Sequence, residues 1–220
     1  MGYYLAFDGA NDRAATAGKI LPMPESGIFT YTVKVRLYGN PGLITELESR
    51  FSSDASLDVG IRFDGSYEIR VGGTYINTSS ANGFVTDRTH IIKVVGNIGT
   101  SRADLIILEE DGTTVIDARY DQPTGTIRYD YDDASFNMQP GAAADLYRIE
   151  MEGFFVFDPS ASGGTGLVLP ETINSDNAAL TGFPTDDSQW VFYSTGPNTP
   201  VNPSITNLLA TSARLNWEQG

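Results

Sequence analysis

Residues 28–37 read Ile-Phe-Thr-Tyr-Thr-Val-Lys-Val-Arg-Leu, and their apolar and polar side chains alternate with a period of two. One face would carry Tyr31, Val33, Val35 and Leu37, and the other Thr30, Thr32, Lys34 and Arg36. Successive side chains of a β-strand point to opposite sides of the sheet, so this period is typical of a strand with one buried face. The stretch therefore predicts an amphipathic strand of an antiparallel sheet.

Short runs of the same character fill the chain to about residue 158, separated by clusters of Gly, Asn and Asp. Two Asp-Gly pairs, Asp64-Gly65 and Asp111-Gly112, are typical of tight hairpin turns. The predicted strands are Tyr3–Asp8, Ile28–Leu37, Leu43–Phe51, Ser56–Phe63, Ser66–Val71, His90–Gly96, Arg102–Leu108, Thr113–Tyr120 and a long Leu146–Asp158 with a bulge at Gly153. This spacing predicts an all-β protein, a two-sheet antiparallel β-sandwich of the jelly-roll type.

The composition changes towards the end of the chain. Residues 194–203 read Ser-Thr-Gly-Pro-Asn-Thr-Pro-Val-Asn-Pro, a composition typical of a semi-rigid linker. Alternation typical of β-strands resumes in residues 204–217 and ends at Trp217. We therefore predict one domain over 1–193, a linker over 194–203, and the truncated start of a second module over 204–220.

Charge and cysteine content exclude several classes of function. The 220 residues hold 28 acidic and 14 basic side chains, for a formal net charge of −14, and no cysteine. Binding to nucleic acid needs a cationic stripe that releases counterions, and the sequence has none. Apolar runs are too short to span a bilayer, so neither nucleic acid nor membrane insertion is expected. Without cysteine, disulfides and thiolate-bound metals are excluded.

Four stretches, in order, resemble laminin-G-like domains. The opening Tyr4-Leu-Ala-Phe-Asp-Gly-Ala-Asn-Asp12 is similar to the first strand of that family, and Phe29–Leu37 to its second. Asp87–Val95 resembles a later strand, with Thr89 in place of the family's Trp, and Asp111-Gly112 with Val115 resembles a hairpin. The resemblance implies a concanavalin-A-like lectin/glucanase jelly roll over about residues 3–158.

A second resemblance covers Pro203–Trp217, which is similar to the opening strands of a fibronectin type III domain. A jelly roll joined to such a module implies a piece of a larger modular protein. The expected location is extracellular, on a cell surface or in a virion, and the expected partners include the neighbouring domains of the same protein.

Catalytic motifs of this fold are missing from the sequence. Glycanases that resemble laminarinases need paired carboxylates at a defined separation, and the closest pairs here are Glu46/Glu48 and Glu150/Glu152. Both pairs are interpreted as solvated strand faces, and His90, the single histidine, as structural. No catalytic residue is predicted. The alternatives left open are a polysaccharide-degrading glycoside hydrolase on the same fold and a purely structural virion or fibre domain.

The favoured function is a non-catalytic carbohydrate-binding or adhesion module. Sugar-binding β-sandwiches present aromatic rings to the apolar faces of pyranoses, with polar groups around them for the hydroxyls. The candidates are Arg62, Tyr67 and Tyr75 beside the Asp64-Gly65 hairpin, and Tyr129 with Tyr131 further along. The sequence therefore predicts a glycan or polysaccharide as partner.

A structural calcium ion is the cofactor that the laminin-G resemblance implies, because such an ion commonly joins the first strand to the last. Ca²⁺ binds six to eight oxygens, mostly from carboxylates and carbonyls. Asp8, Asn11 and Asp12 follow the first predicted strand, and Asp158 ends the long one. These four residues are the predicted ligands.

Overall fold

The structure is a computed structural model, which describes residues 2–8, 11–16, 21–38, 43–49, 52–61, 67–78, 87–127, 133–138 and 143–194. In this part of the chain the backbone forms sixteen β-strands and one short 3-10 helix, Pro159–Ser162. The strands are β1 Gly2–Phe7, β2 Arg13–Thr16, β3 Ile28–Tyr38, β4 Leu43–Ser49, β5 Ser52–Ile61, β6 Tyr67–Val71, β7 Thr74–Thr78, β8 Thr89–Asn97, β9 Arg102–Glu109, β10 Val115–Pro123, β11 Asp133–Met138, β12 Ala143–Met151, β13 Phe155–Phe157, β14 Val168–Leu169, β15 Ala178–Thr181 and β16 Trp190–Tyr193.

The strands form two sheets of eight, and every described pairing is antiparallel. Sheet A has the order β10-β9-β8-β3-β12-β1-β16, with β13 pairing to β12. Sheet B has the order β14-β15-β2-β11-β4-β5-β6-β7. The all-β class and the two-sheet jelly-roll sandwich predicted from the sequence are confirmed.

Strand β3 lies near the middle of sheet A and has the alternation that the sequence predicts. Tyr31, Val33 and Val35 are 0–2% exposed and point into the core between the sheets. The alternate residues, Lys34 and Arg36 among them, are half-buried on the opposite face. Burying one face removes apolar surface from water and therefore holds the sheets together.

The predicted long strand Leu146–Asp158 is wrong as a single element. The chain turns back at Gly153, which has φ +80, and β13 pairs antiparallel to β12 through Ile149–Phe157. A residue with positive φ reverses the chain at little cost when it is glycine, so this position ends a strand instead of bulging it. The turn places β13 on the same edge of β12 as β1.

Residues after 158 complete both sheets, which the sequence did not predict in detail. β14 and β15 extend sheet B, and β16 pairs with β1 at the edge of sheet A. Leu169, Leu180 and Trp190 are 0–6% exposed in the same core as β3. The proposed linker and second module, from residue 195 onwards, lie outside the described residues.

Candidate functional site

The outward face of sheet A carries an unusual set of side chains for a solvated sheet face. It is formed by the residues of β1, β3, β12 and β16 that alternate with the core positions. Because β12 lies between β3 and β1, residues distant in sequence become neighbours there. Aromatic rings lie on the β1 side of this face and charged groups on the β3 side.

Three tyrosines form one cluster, which we call the tyrosine cluster: Tyr4, Tyr147 and Tyr193. Ring centroids are 5.1 Å apart for Tyr4–Tyr147, 5.2 Å for Tyr147–Tyr193 and 6.2 Å for Tyr4–Tyr193. These separations are those of favourable aromatic pairs. Tyr147 is 9% exposed and forms the floor, while Tyr4 and Tyr193 are half-buried and keep part of their rings accessible.

A β-bulge brings Tyr147 into this position. The β12–β3 register pairs Leu146 with Val35 and Arg148 with Lys34, so Tyr147 is the extra residue between them. A bulge re-aims side chains at one point of a strand, and such irregularities are common at functional surfaces. Leu146 remains in the core while Tyr147 joins the outward cluster.

Two cations of β3 border the tyrosine cluster. Lys34 Nζ lies 5.5 Å from the centroid of the Tyr147 ring, and the Arg36 guanidinium lies 5.0 Å from that of Tyr38. Such placements allow cation–π attraction. Lys34 also forms an ion pair with Glu110 at 3.2 Å, and the Glu110 side chain is 61% exposed.

A buried carboxyl group, Asp145, lies between the cations and the rings. It is 4% exposed and accepts a 2.5 Å hydrogen bond from the Tyr38 hydroxyl. Burial raises the pKa of Asp145 to about 6, although the Tyr38 bond and the charge of Arg36 act in the opposite direction. Burial, helped by the charge of Asp145, also raises the pKa of Tyr147 to about 12.

The predicted glycan-binding residues cannot be placed together from the described residues. Arg62, Tyr129 and Tyr131 lie outside the described residues, as do the side chains of Tyr67 and Tyr75. The backbone register pairs Tyr67 with Thr78 and Tyr75 with Arg70 in the β6–β7 hairpin of sheet B. These five residues remain a prediction from the sequence.

Of the predicted metal ligands, Asp8 and Asp12 lie together after β1. The Asp8 backbone N–H donates to Asp12 Oδ2 at 2.7 Å. Asp12 is 2% exposed, and its Oδ1 has no hydrogen-bond partner among the described residues. Burial raises the pKa of Asp12, and the charge of Asp8 adds to the rise against the Asp8 N–H bond. Asn11, in the same turn, is exposed.

Asp158 lies at the other end of β1. It caps the 3-10 helix by accepting a 2.8 Å hydrogen bond from Ser160 N, and Ser160 Oγ in turn accepts from Tyr3 N. Its Oδ2 is 3.6 Å from Arg148 Nη1. Asp8 is five positions after Tyr3, a distance of roughly 16 Å along an extended chain. The structure therefore does not bring Asp158 to Asp8 and Asp12.

Of the candidate catalytic carboxylates, only Glu150 and Glu152 have described side chains, and these two have different surroundings. Glu150 accepts a 2.8 Å charged hydrogen bond from Arg148 Nε, and Glu152 is exposed in the turn that follows β12. Glu46 and Glu48 lie on β4, with side chains outside the described set. His90 is 1% exposed and pairs with Val35 in the register, on the core-facing side of sheet A.

No group of three or more His, Cys, Asp or Glu side chains that could hold a metal is found within the described ranges. In the same part of the chain, no helix is long and apolar enough to cross a membrane.

The sequence analysis missed the tyrosine cluster. Tyr4 and Tyr193 occupy polar-face positions of amphipathic strands, where an aromatic residue is itself a signal of binding. What was lacking was the strand order, because Tyr4 and Tyr193 become neighbours only when the last strand pairs with the first.

The architecture and this face together define the molecule as a jelly-roll β-sandwich with an aromatic and charged outer sheet face. No protein-family model matches the chain, and no curated protein sequence matches it.

Among solved structures, similarity is found to a heptameric SAP-like pentraxin from Limulus polyphemus, with a TM-score of 0.46, 11% identity, and coverage of 68% of this chain and 75% of that one. A carbohydrate-binding module, CBM66, from Bacillus subtilis has a TM-score of 0.39 and 10% identity, over 70% of this chain and 92% of that one. The galectin LEC-6 of Caenorhabditis elegans has a TM-score of 0.35 and 11% identity, over 68% and 96%. At these scores the similarities carry no argument about function.

Proposed function

We propose that this chain is a non-catalytic carbohydrate-binding module whose site is the outward face of sheet A. One observation carries the proposal: three tyrosine rings form a cluster beside Lys34 and Asp145 on a sheet face, where their burial has no role in the sandwich core. The apolar face of a pyranose packs on partly exposed rings, and its hydroxyls bond to charged groups around them. Tyr4 and Tyr193 are the contact rings, and Tyr147 supports them.

The first test is a glycan and polysaccharide array probed with the full chain and with a Tyr193→Ala variant. We expect specific binding by the parent chain and at least a tenfold loss of affinity in Tyr193→Ala, about 1.4 kcal/mol or more. The matched control is Tyr120→Ala, which removes a tyrosine that is 60% exposed on β10, outside the cluster, and should bind as the parent does.

Three results would contradict the proposal in different ways. Equal losses in both tyrosine variants would place the site elsewhere. Shortened oligosaccharides recovered from the array would favour the alternative that the chain is a glycoside hydrolase. A blank array would favour a purely structural domain.

We further propose that Asp8, Asn11 and Asp12 bind a structural calcium ion. The buried Oδ1 of Asp12 has no partner among the described residues, and a cation would satisfy it and lower the cost of two adjacent carboxylates. Asp158, on the geometry above, takes no part. The ion would fix the turn between β1 and β2, which connects the two sheets.

We expect 1 mM CaCl₂ to raise the melting temperature of the parent chain by several degrees over EDTA, because a ligand that binds only the folded state stabilises it. Asp12→Asn should abolish this response, while Asp158→Asn should retain it. Thermal unfolding followed by circular dichroism measures both. Loss of the response in Asp158→Asn would restore the four-ligand set predicted from the sequence, and no response in the parent would remove calcium altogether.

Finally, we propose that the domain over 1–193 is one module of a larger extracellular, cell-surface or virion protein. The linker composition of 194–203 and the fibronectin type III-like pattern of 204–220 support this.

A further inference from the structure

Three basic side chains lie together on the outward face of sheet A, although the chain as a whole is strongly acidic. The chain carries a formal net charge of −14. Yet Arg36, Lys34 and Lys93 lie side by side on this face, the first two on β3 and the third on the neighbouring β8. In the β3–β8 register Lys93 pairs with Thr32, one outward position from Lys34. Outward positions on a strand are about 7 Å apart, so the three cations form a continuous row.

The acidic groups near this row leave much of its charge unpaired. Glu110 pairs with Lys34, but that pair is largely solvated and is worth little. Neither Arg36 nor Lys93 forms an ion pair with any described residue. The Nε of Arg36 is buried and has no hydrogen-bond partner within the described ranges.

The other titratable groups facing the row offset only part of its charge. Asp145 lies opposite Arg36 in the β12–β3 register, where its carboxylate accepts from the Tyr38 hydroxyl and offsets the charge of Arg36 but not that of Lys93. Arg148 and Glu150, on the next strand, form a 2.8 Å pair with each other. A guanidinium and an ammonium group side by side, next to an aromatic surface, match a carboxylate attached to a sugar ring.

We propose that the site selects a pyranose that carries a single carboxylate, with Lys34 and Arg36 binding the carboxylate and the tyrosine cluster contacting the ring. This inference rests on the proposed function and names the chemical class of its ligand. A long polyanion is disfavoured, because the net negative charge of the chain repels it beyond the local cation row. A terminal acidic sugar and a uronic acid share the required chemistry.

Titration calorimetry with paired probes tests the inference. One pair is 3′-sialyllactose against lactose, and the other is trigalacturonate against its methyl ester. We expect one or both acidic probes to bind at least tenfold more tightly than the neutral partner, with the difference shrinking as NaCl is raised. The pair that shows the difference identifies the source of the carboxylate.

Substitutions of single basic residues then show which of them bind the carboxylate of the ligand. Lys34→Gln and Arg36→Gln should each weaken binding of the acidic probe about tenfold and weaken binding of the neutral partner clearly less, so that the preference for the acidic probe falls. Arg102→Gln is the matched control, since Arg102 is a 46% exposed cation at the β9–β10 edge, away from the row. Thermal unfolding of each variant confirms that it is folded.

The possible failures are distinguishable. If the neutral partners bind as tightly as the acidic probes, and Tyr193→Ala still abolishes binding, the proposed function stands and the acidic ligand is wrong. If Arg102→Gln weakens binding as much as Arg36→Gln, the effect is long-range and the local site is wrong. If no glycan binds at all, the proposed function fails and this inference fails with it.

Discussion

Replacing Glu171 by alanine should lower the free energy of unfolding by about 3 kcal/mol, because it removes the charged acceptor of four backbone N–H groups, of which that of Val156 is buried. Glu171 is 3% exposed. Its carboxylate accepts from the N–H groups of Val156, Ile173, Asn174 and Asp176 at 2.5–3.5 Å. One side chain thus organises the loop after residue 171 and ties it to β13. Urea unfolding at pH 7 measures the loss.

The pH dependence of this contribution has a definite sign. Burial acts to raise the pKa of Glu171, but the four backbone N–H groups outweigh it and hold the pKa below its ordinary value of 4.5. The stabilisation is therefore complete above pH 4.5 and is lost as the pH falls through the folded-state pKa. The difference between parent and Glu171→Ala should shrink on acidification.

A matched control is Glu152→Ala, which removes an exposed glutamate in the turn after β12. It should change the unfolding free energy by less than about 0.5 kcal/mol. The stability loss in Glu171→Gln should lie between those of Glu171→Ala and Glu152→Ala. The amide keeps one acceptor oxygen but brings an N–H donor into a site made of donors. A stability loss in Glu171→Ala no greater than the control would refute the role assigned to these bonds.

The second large effect has the opposite pH signature and concerns Asp145. Its pKa is raised from 3.8 to about 6, first by burial, so the folded state binds the proton more tightly than the unfolded state. The contribution of Asp145 to stability is therefore greatest below pH 4 and decreases as the pH rises through 6, by about 3 kcal/mol in total.

Asp145→Asn should remove this dependence, because the amide oxygen still accepts from the Tyr38 hydroxyl and carries no charge to bury. We expect the variant to be more stable than the parent by about 1–3 kcal/mol at pH 8 and to match it near pH 4. Urea unfolding at both pH values measures this, with Glu152→Gln as the exposed control that should show no such shift. A variant that is less stable than the parent at pH 8 would mean that ionised Asp145 stabilises the fold through Arg36.

Asp145 also connects stability to the proposed site. It lies among the groups that would contact a ligand, and a buried group that opposes folding at neutral pH is commonly found where function requires it. Its two immediate neighbours, Arg36 and Tyr38, lie on one strand, which makes β3 the strand that carries the polar half of the site.

The position of the proposed site could not be predicted from the sequence, for a physical reason. Local sequence features predicted Tyr67 and Tyr75, which lie beside a strong turn signal, and Tyr129 and Tyr131, which lie two positions apart in a short run. Tyr4 and Tyr193, by contrast, are 189 positions apart in the numbering and have no local feature that connects them. The strand pairing that makes them neighbours depends on contacts along the whole chain.

The predicted calcium ligands show the same difference between contacts set locally and contacts set by strand pairing. Asp8 and Asp12 are close in sequence, and a turn is enough to bring their groups together. Asp158 was assigned to the same place on the assumption that residues 146–158 form one strand. Because β12 pairs antiparallel to β1, with Leu5 opposite Leu146, the chain after Leu146 runs away from Asp8, and Asp158 caps the 3-10 helix that contacts Tyr3.

By itself the sequence determined the fold class, the amphipathic strands and which face of β3 is buried, because the two-residue period of a strand and the burial of apolar side chains act locally. Tertiary structure alone decided which outward faces meet, where the chain turns back, and that a bulge in β12 places Tyr147 between Tyr4 and Tyr193. These features depend on strand order and register, which are selected by the packing of both sheets at once and leave no periodic trace in any one segment.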